Sequence, residues 1–395
     1  MKLQQLIDSI HPPGSPKRPT TEQEKILAHS AGPAWILAGP GSGKTEVLTL
    51  LALRLMYVTG DTMQAERVPA ESIFLTTFTD KAARNLQDRI SRYRERLILA
   101  DPSLAAIDVS KLRVGTLHGL ANDLLQEARA KEYRNVRLMD ELETAMFVHE
   151  NMSLIRKSDQ VADLPFWSHF EFMFHPMAWK RTMARLPLQW DMALTLIKLF
   201  NRICEDRKDL NAMRQAGGPI ARLVDLYEEY QQHLRDHHRC DFSQLQDRFL
   251  TFLSSPEGQK LRDGVDGVSP GITHVLVDEY QDTNLVQEAI YFELAKRAPH
   301  NLVIVGDDDQ AMYRFRGGSV ECMVTFDQAC AQFLKTKTIA LYPLVGNFRS
   351  HKSIVEFCNA YVDAFPAMKK PGARVAGKPP LVPKSSVQGN YLAAG

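Results

Sequence analysis

The sequence has few cysteines, no excess of charge of either sign and no long apolar run. Its five cysteines form no C-x-x-C pair, which argues against structural zinc and favours a reducing compartment. The 48 Lys and Arg and 47 Asp and Glu residues leave a net charge of +1, so binding to a polyanion would need a local basic patch. Because residues 1–19 lack a signal-peptide core and no membrane span is visible, we expect a soluble, cytoplasmic protein without a membrane partner.

Four short, largely apolar segments predict buried strands, at residues 35–38, 72–77, 274–277 and 302–305. A strand with one exposed face would instead alternate apolar and polar residues. Segments of helical periodicity separate the four, which is typical of a parallel sheet covered by helices on both faces. With 44% hydrophobic and 24% charged residues the composition is globular, and we predict the α/β fold class.

The chain length of 395 residues predicts two or three domains. Between about residues 122 and 235 the strand-like segments disappear and the sequence becomes helical and rich in aromatic residues. We therefore predict an all-helical insertion at 122–235, which divides the sheet lobe into a first part, 1–121, and a second part, 236–345. Residues 346–395 are expected to form the truncated start of a second lobe, or a linker.

The strongest motif is a glycine-rich stretch between the first predicted strand and a predicted helix. It consists of Ala38, Gly39, Pro40, Gly41, Ser42, Gly43, Lys44 and Thr45. Three glycines in five residues let backbone N–H groups turn towards a phosphate, which an ordinary exposed turn does not require. In such a loop the lysine neutralises phosphate oxygens and the threonine ligates Mg²⁺, so we predict a site for a nucleoside triphosphate and Mg²⁺.

Polar residues follow two further predicted strands. Asp278 and Glu279 come directly after segment 274–277, at the edge where ligands bind in parallel sheets. Asp278 suits Mg²⁺ coordination, and Glu279 is placed to polarise an attacking water. Gln310 follows segment 302–305, where its amide can contact a γ-phosphate. The alternative, a solvated acidic turn, fits less well beside a phosphate-binding loop.

Aromatic residues and arginines alternate shortly after Gln310, at Tyr313, Phe315 and Arg316. This pattern suits stacking on nucleic-acid bases, worth about 1–3 kcal/mol per base, and pairing with phosphates. The alternative is that the two aromatic rings pack at the edge of a core. The residues of this segment alone leave both interpretations open.

Several short motifs occur in one order along the chain. They are the glycine-rich loop and residues 76–83, 115–120, 241–242, 277–284, 306–310 and 347–350. Each resembles a motif of the UvrD/Rep/PcrA-type superfamily 1 DNA helicases, and the acidic motif with its trailing Asp-Thr-Asn is specific. The resemblance implies a RecA-like lobe with a helical insertion, ATP hydrolysis coupled to stepping on single-stranded DNA, and 3′-to-5′ polarity.

The resemblance also implies a set of DNA contacts, with single-stranded DNA and duplex junctions as partners. The residues are Phe78, Thr116, His118, Tyr313 and Phe315, to which the alternating segment adds Arg316. The first three match strand-end residues that touch DNA in the family. The two aromatic residues match rings that stack on bases, although the second is usually tryptophan in relatives.

For the nucleotide, the resemblance implies roles that complete the predicted site. Gln23 matches a glutamine that reads adenine, and Phe348 lies where an aromatic ring stacks on that base. Arg349 matches an arginine that meets the γ-phosphate, and Gln310 matches the residue that senses it. The catalytic set is therefore Lys44, Glu279, Gln310 and Arg349. Glu46 departs from the family, because relatives often place an arginine there over the other face of adenine.

A larger departure concerns the second lobe that such helicases use. Neither the Lys-Gly-Leu-Glu-type motif nor the Thr-Arg motif of that lobe appears after Arg349. We expect a fragment of a longer enzyme, a truncated relative that works with a protein partner, or an inactive remnant. Without the second-lobe arginine, hydrolysis should be weak, since such arginines contribute about 10³–10⁵ in rate. A non-unwinding module that binds single strands or a partner and uses ATP as a switch remains the alternative function.

Overall fold

The structure is a computed structural model, and its contacts divide the chain into two compact units. It describes residues 1–60, 66–128, 130, 133–156, 163–170, 173, 188–311, 318–370 and 372–385. One unit joins Met1–Leu120 to Leu253–Gly395, and the other comprises Ala121–Phe252. Across the described part of the chain, no helix combines the length and the apolar composition needed to cross a bilayer.

The strands of both units run as follows in chain order. They are β1 (Ala34–Ala38), β2 (Ile73–Thr77), β3 (Arg113–Thr116), β4 (Arg137–Leu138), β5 (Arg239–Cys240), β6 (His274–Val277), β7 (Asn301–Gly306), β8 (Ala340–Leu344), β9 (Gly346–Asn347) and β10 (Val382–Pro383). Six of them form one sheet in the order β3-β2-β6-β7-β1-β8, and every neighbouring pair in it is parallel. Together with the helices, this parallel sheet confirms the predicted α/β class.

The four predicted strands occupy the four central positions of this sheet, as β2, β6, β7 and β1. The residues of β1, β2 and β7 are buried throughout, which explains their continuous apolar sequence. The two strands that were not predicted, β3 and β8, are the sheet edges. Because β8 alternates between exposed and half-buried residues, its sequence lacks the apolar run of a central strand.

The α-helices follow one another along the chain in this order. They are α1 (Leu3–Ile10), α2 (Thr21–Leu27), α3 (Lys44–Tyr57), α4 (Asp80–Ala100), α5 (Leu117–Glu127), α6 (Glu141–Asn151), α7 (Ser153–Arg156), α8 (Leu164–His169), α9 (Gln189–Glu205), α10 (Leu210–Gln215), α11 (Gly218–Asp236), α12 (Phe242–Ser254), α13 (Pro256–Asp263), α14 (Leu285–Leu294), α15 (Val320–Val324), α16 (Phe326–Ala329) and α17 (Lys352–Ala364). Short 3-10 helices include Tyr280–Asp282 and Asp308–Gln310, both at the candidate site.

The core of the sheet unit lies between the sheet and its helices. Helix α3 is buried along its whole length after the first turn, from Val47 to Tyr57, because it packs between the sheet and neighbouring helices. Helix α1 adds Leu6, Ile7 and Ile10 to the same apolar cluster, so much of the N-terminal segment is held in place. This packing fixes the start of α3, where the glycine-rich loop ends.

The helical unit has its own aromatic core, which includes the fully buried Trp167. The rings of Phe200 and Tyr230 stack in it with centroids 5.0 Å apart. The sequence placed the end of the helical insertion at residue 235, whereas this unit extends to Phe252. The reason is local: the Tyr230 hydroxyl donates to Asp241 at 2.5 Å, and β5 pairs with β4, which ties residues 236–252 to the helices.

Candidate nucleotide-binding site

The candidate site lies at the carboxyl ends of four adjacent strands, β6, β7, β1 and β8. Since the strands are parallel, the segments that leave them all start at the carboxyl-terminal end of the sheet, which is the usual location of ligands in such folds. A cavity of about 210 Å³ opens there. It is lined by Pro40, Gly41, Gly43, Lys44, Thr45, Glu46, Arg89, Glu279, Gln310 and Arg349.

The glycine-rich loop has the backbone that an anion site requires. Gly41 and Gly43 have φ angles of +70° and +88°, which side chains with a Cβ rarely adopt. The Ser42 hydroxyl donates to the Gly39 carbonyl at 2.7 Å and closes the turn. Helix α3 begins directly at Lys44, and its first amides have no acceptor within the helix. The loop therefore directs N–H groups and the positive end of a helix at the cavity.

An ion pair joins the loop to the acidic strand end. The Lys44 ammonium donates to Glu279 Oε2 at 2.8 Å, with the lysine side chain only 10% exposed. Glu279 has a left-handed backbone, with φ of +54°, which turns the chain directly after β6. The pairing brings together two residues that the sequence assigned to one site.

The residues next to this pair fit a magnesium ion. Asp278 is buried, and burial together with the neighbouring Glu279 charge raises its pKa to about 7, although Lys44 opposes the shift. A divalent cation would offset that burial of negative charge. Thr45 follows Lys44 in the first turn of α3 and lines the cavity. A hydroxyl and a carboxylate are the oxygen ligands that Mg²⁺ prefers in proteins.

Two glutamine amides of the predicted site are already oriented by the protein. Gln23 donates from Nε2 to the Ser42 carbonyl at 2.9 Å and accepts from the Thr20 amide at 2.9 Å. A Cβ on Gly43 would lie 2.8 Å from Gln23 Nε2, so this approach depends on glycine. Gln310 donates from Nε2 to Asp307 Oδ2 at 2.5 Å and lines the cavity.

The segment after β8 packs directly on the glycine-rich loop. The Phe348 amide donates to the Gly41 carbonyl at 2.9 Å, and Asn347 Nδ2 donates to the Pro40 carbonyl at 2.8 Å. Asn347 Oδ1 accepts from the Arg349 amide at 2.9 Å, which sets the start of the following turn. Arg349 thereby reaches the cavity, while the Phe348 ring is 47% exposed.

Arg89 and the surroundings of Glu46 were not anticipated from the sequence. Glu46 accepts from His11 and Tyr93 at Oε1, and from Arg89 at Oε2, at 2.7 to 2.8 Å. Burial would raise the pKa of Glu46, but these hydrogen bonds and the Arg89 charge keep it below its usual value. The departure at position 46 was a signal, but Arg89 could be found only from the packing of α4 on α3.

The predicted DNA contacts fall into two groups. Phe78 follows β2 directly and Thr116 ends β3, and these strands are parallel neighbours with Thr77 opposite Thr116. His118 lies in the first turn of α5, where desolvation lowers its pKa to about 4 and leaves the imidazole neutral near pH 7. The structure therefore places Phe78, Thr116 and His118 at the carboxyl ends of the neighbouring strands β2 and β3. The remaining predicted contacts lie outside the described residues, namely Tyr313, Phe315 and Arg316.

Several curated proteins are similar to this chain over most of its length. ATP-dependent DNA helicase UvrD1 of Mycobacterium tuberculosis is 28% identical over 366 residues, covering 91% of this chain and 40% of that protein. Putative ATP-dependent DNA helicase YjcD of Bacillus subtilis is 26% identical, covering 87% and 38%. ATP-dependent DNA helicase SRS2 of Saccharomyces cerevisiae is 27% identical, covering 81% and 24%. The chain thus spans 24% to 40% of the length of these curated relatives.

A family model also matches most of the chain. The model describes the N-terminal domain of UvrD/REP helicases, and it matches residues 19–331 of the 395. This range includes the glycine-rich loop, both acidic strand ends and the helical unit. The chain belongs to the UvrD/REP helicase N-terminal domain family.

Proposed function

We propose that this chain binds ATP and Mg²⁺ at the carboxyl ends of β6, β7, β1 and β8, and couples ATP hydrolysis to movement along single-stranded DNA with 3′-to-5′ polarity. The observation that carries the proposal is the Lys44–Glu279 ion pair, which joins the phosphate loop to the acidic strand end across the cavity. The names of the relatives, which are ATP-dependent DNA helicases, support the same activity.

Lys44 and Glu279 divide the chemistry between them. The loop amides and the Lys44 ammonium bind the β- and γ-phosphates, so the phosphates replace Glu279 as the partner of Lys44. The Glu279 carboxylate then accepts the proton of a water that attacks the γ-phosphorus, while the bond to the β-phosphate oxygen breaks. Gln310 and Arg349, on the cavity wall, bind the γ-phosphate oxygens.

Thr45 and Asp278 would hold the magnesium ion. When bound, Mg²⁺ neutralises charge that develops on the phosphate oxygens. Gln23 and the exposed Phe348 ring would bind the adenine base from the two chain segments that flank the loop.

DNA coupling would run through Gln310, because the segment that carries Tyr313 and Phe315 follows it directly in sequence. Phe78, Thr116 and His118 would contact the single-stranded DNA from the carboxyl ends of β2 and β3. These 395 residues contain no second-lobe arginine motif after Arg349, so we propose that on their own they turn over ATP slowly. Second-lobe residues, or a protein partner, would raise the rate.

The test is ATP turnover with and without single-stranded DNA, measured for the unaltered chain and for Glu279→Gln. We expect DNA to stimulate turnover, and Glu279→Gln to lower it by about 10²-fold or more while retaining nucleotide binding. Glu257→Gln, at an exposed position of α13, is the matched control and should behave as the unaltered chain.

Two outcomes would contradict the proposal. Turnover that Glu279→Gln leaves unchanged would remove the catalytic assignment. If nucleotide binding changed the affinity for single-stranded DNA and no ATP turnover were detected, the alternative function would be favoured, namely an ATP-controlled module that binds single strands and does not unwind DNA.

A further inference from the structure

Residues 372–384, which follow helix α17, lie against the candidate site. The Val382 amide donates to the Val345 carbonyl at 2.7 Å, where β10 pairs with β9. Leu381 packs on the glycine-rich loop so closely that a Cβ on Gly39 would lie 2.3 Å from Leu381 Cδ2. The segment therefore packs against the site region.

The same segment provides two cations to three adjacent aspartates at the end of β7. The Lys378 ammonium binds a carboxylate oxygen of each of Asp307, Asp308 and Asp309, the last at 2.8 Å. Arg374 forms a two-pronged ion pair with Asp309, at 2.6 and 2.8 Å. The lysine side chain is only 7% exposed and that of Asp307 is 2% exposed. Neighbouring buried carboxylates repel each other, so this acidic turn depends on its cations.

Hydrogen bonds connect this acidic turn to the catalytic residues. The Asp307 carboxylate accepts a hydrogen bond from Gln310 Nε2 at 2.5 Å. The backbone amide of Asp307 donates to Gln281 Oε1 at 3.0 Å. Gln281 is 3% exposed and donates from Nε2 to Glu279 Oε2 at 2.8 Å. Lys378 is thus two hydrogen-bonded residues away from Glu279.

Where Gln281 contacts the end of β7, the structure leaves no space for a side chain at position 306. A Cβ on Gly306 would lie 2.5 Å from Gln281 Oε1, so glycine at the end of the strand permits the amide to reach the Asp307 backbone. The Gln281 amide thus contacts both strand ends, through the Asp307 backbone and the Glu279 carboxylate. A displacement of Asp307 would be transmitted to the carboxylate that faces Lys44.

We propose that Lys378 is a positioning residue for ATP hydrolysis: it holds Asp307 so that Gln310 and, through Gln281, Glu279 face the γ-phosphate and the attacking water. This inference rests on the proposed function. Lys378 does not line the cavity, so its loss should affect the chemical step and leave nucleotide binding intact. A lysine that only stabilised the fold would instead affect melting temperature, binding and turnover together.

The experiment compares Lys378→Met with Lys378→Arg and with Lys370→Met, an exposed control before the segment. For each, a fluorescent ATP analogue measures Kd, a turnover assay measures kcat, and thermal unfolding reports folding. We expect Lys378→Met to lower kcat by about 10²-fold, as for other small displacements of catalytic groups, with Kd unchanged within about twofold. Lys378→Arg should recover most of the rate because it restores the charge, and the control should match the unaltered chain.

Several results would overturn the inference. One is a folded Lys378→Met protein whose kcat is unchanged. Another is a Lys378→Met protein in which nucleotide affinity and kcat decrease to the same extent. If Lys378→Met does not fold, Lys378→Gln, which removes the charge that holds Asp307 but keeps a polar side chain, should still lower kcat without changing Kd; unchanged kcat there also overturns the inference. Failure of the proposed function is distinguishable, because nucleotide binding would then be insensitive to Lys44→Ala in the unaltered background.

Discussion

The Nζ of Lys44 lies 2.8 Å from Oε2 of Glu279, although 235 positions separate the two residues in sequence. Their strands, β1 and β6, are not neighbours, since β7 lies between them. The ion pair therefore spans the end of β7 and crosses the place where phosphates would bind. Each residue neutralises the other, which keeps the poorly exposed Lys44 ammonium paired with a carboxylate.

Lys44→Ala should weaken ATP binding by about 10- to 100-fold, because it removes a charged hydrogen-bond donor from the phosphates. Titration with a fluorescent ATP analogue measures the effect. Lys25→Ala, at an exposed position of α2, is the control and should bind normally. Equal affinities of Lys44→Ala and the unaltered chain would remove the phosphate-binding assignment.

Arg89→Ala should weaken ATP binding by about 3- to 10-fold, since the guanidinium lines the cavity but is partly neutralised by Glu46. The effect should decrease at higher salt, because the side chain is 30% exposed. The same titration at two ionic strengths measures it. Arg92→Ala, on the exposed face of the same helix, should change nothing, and an equal loss for both variants would contradict the prediction.

Phe315→Ala should weaken binding of single-stranded DNA by about 5- to 150-fold, because one stacked base is lost. Fluorescence anisotropy of a labelled oligonucleotide measures this affinity, and ATP binding serves as the internal control. Because Phe315 lies outside the described residues, the prediction rests on the sequence pattern. Unaltered strand affinity would show that the ring packs in a core, the alternative that the sequence left open.

Glu205→Gln should alter the pH dependence of stability in the helical unit. Burial raises the pKa of Glu205 from 4.5 to about 7, although the Ser243 hydroxyl that donates to it at 2.8 Å opposes the shift. Between these two values the folded state binds more protons than the unfolded state. The free energy of unfolding should therefore fall as pH rises through this range, by about 3 kcal/mol from this group, and then level off.

Urea unfolding at pH 5 and pH 8, followed by tryptophan fluorescence, measures this change. Trp35 is the single tryptophan of the sequence outside residues 121–252, so the signal mainly reports the helical unit. In Glu205→Gln this decrease in the free energy of unfolding should be absent, because the amide cannot ionise. Glu150→Gln, at an exposed position of α6, should retain it, and identical pH profiles for all three proteins would refute the assignment.

The central part of the fold was predictable because burial on both faces leaves a continuous apolar sequence. β1, β2, β6 and β7 were found for this reason, whereas the edge strands β3 and β8 carry no such signal. The contacts extend the helical unit to Phe252, beyond the predicted boundary at residue 235, because residues 236–252 join it through contacts such as Tyr230 with Asp241. Those contacts depend on tertiary packing and leave no mark on local periodicity.

The candidate site was predictable where a residue follows a strand closely. Lys44, Glu279 and Gln310 lie two to six residues beyond the ends of β1, β6 and β7, and the parallel sheet brings all three to one cavity. Gln281 and Lys378 were not identified, because their roles depend on which strands are neighbours and on where residues 372–384 return. Neither the strand order nor that return can be deduced from motif spacing.

The three hydrogen-bonded partners of Glu46 also constrain how this sequence can change. An arginine at that position, as relatives often have, would face Arg89 with like charge and leave His11 and Tyr93 without their acceptor. The exchange would be tolerated only together with compensating substitutions on α4 and after α1. Positions 11, 46, 89 and 93 should therefore evolve as an epistatic group, and grafting single residues from homologues into this pocket should fail where the complete set succeeds.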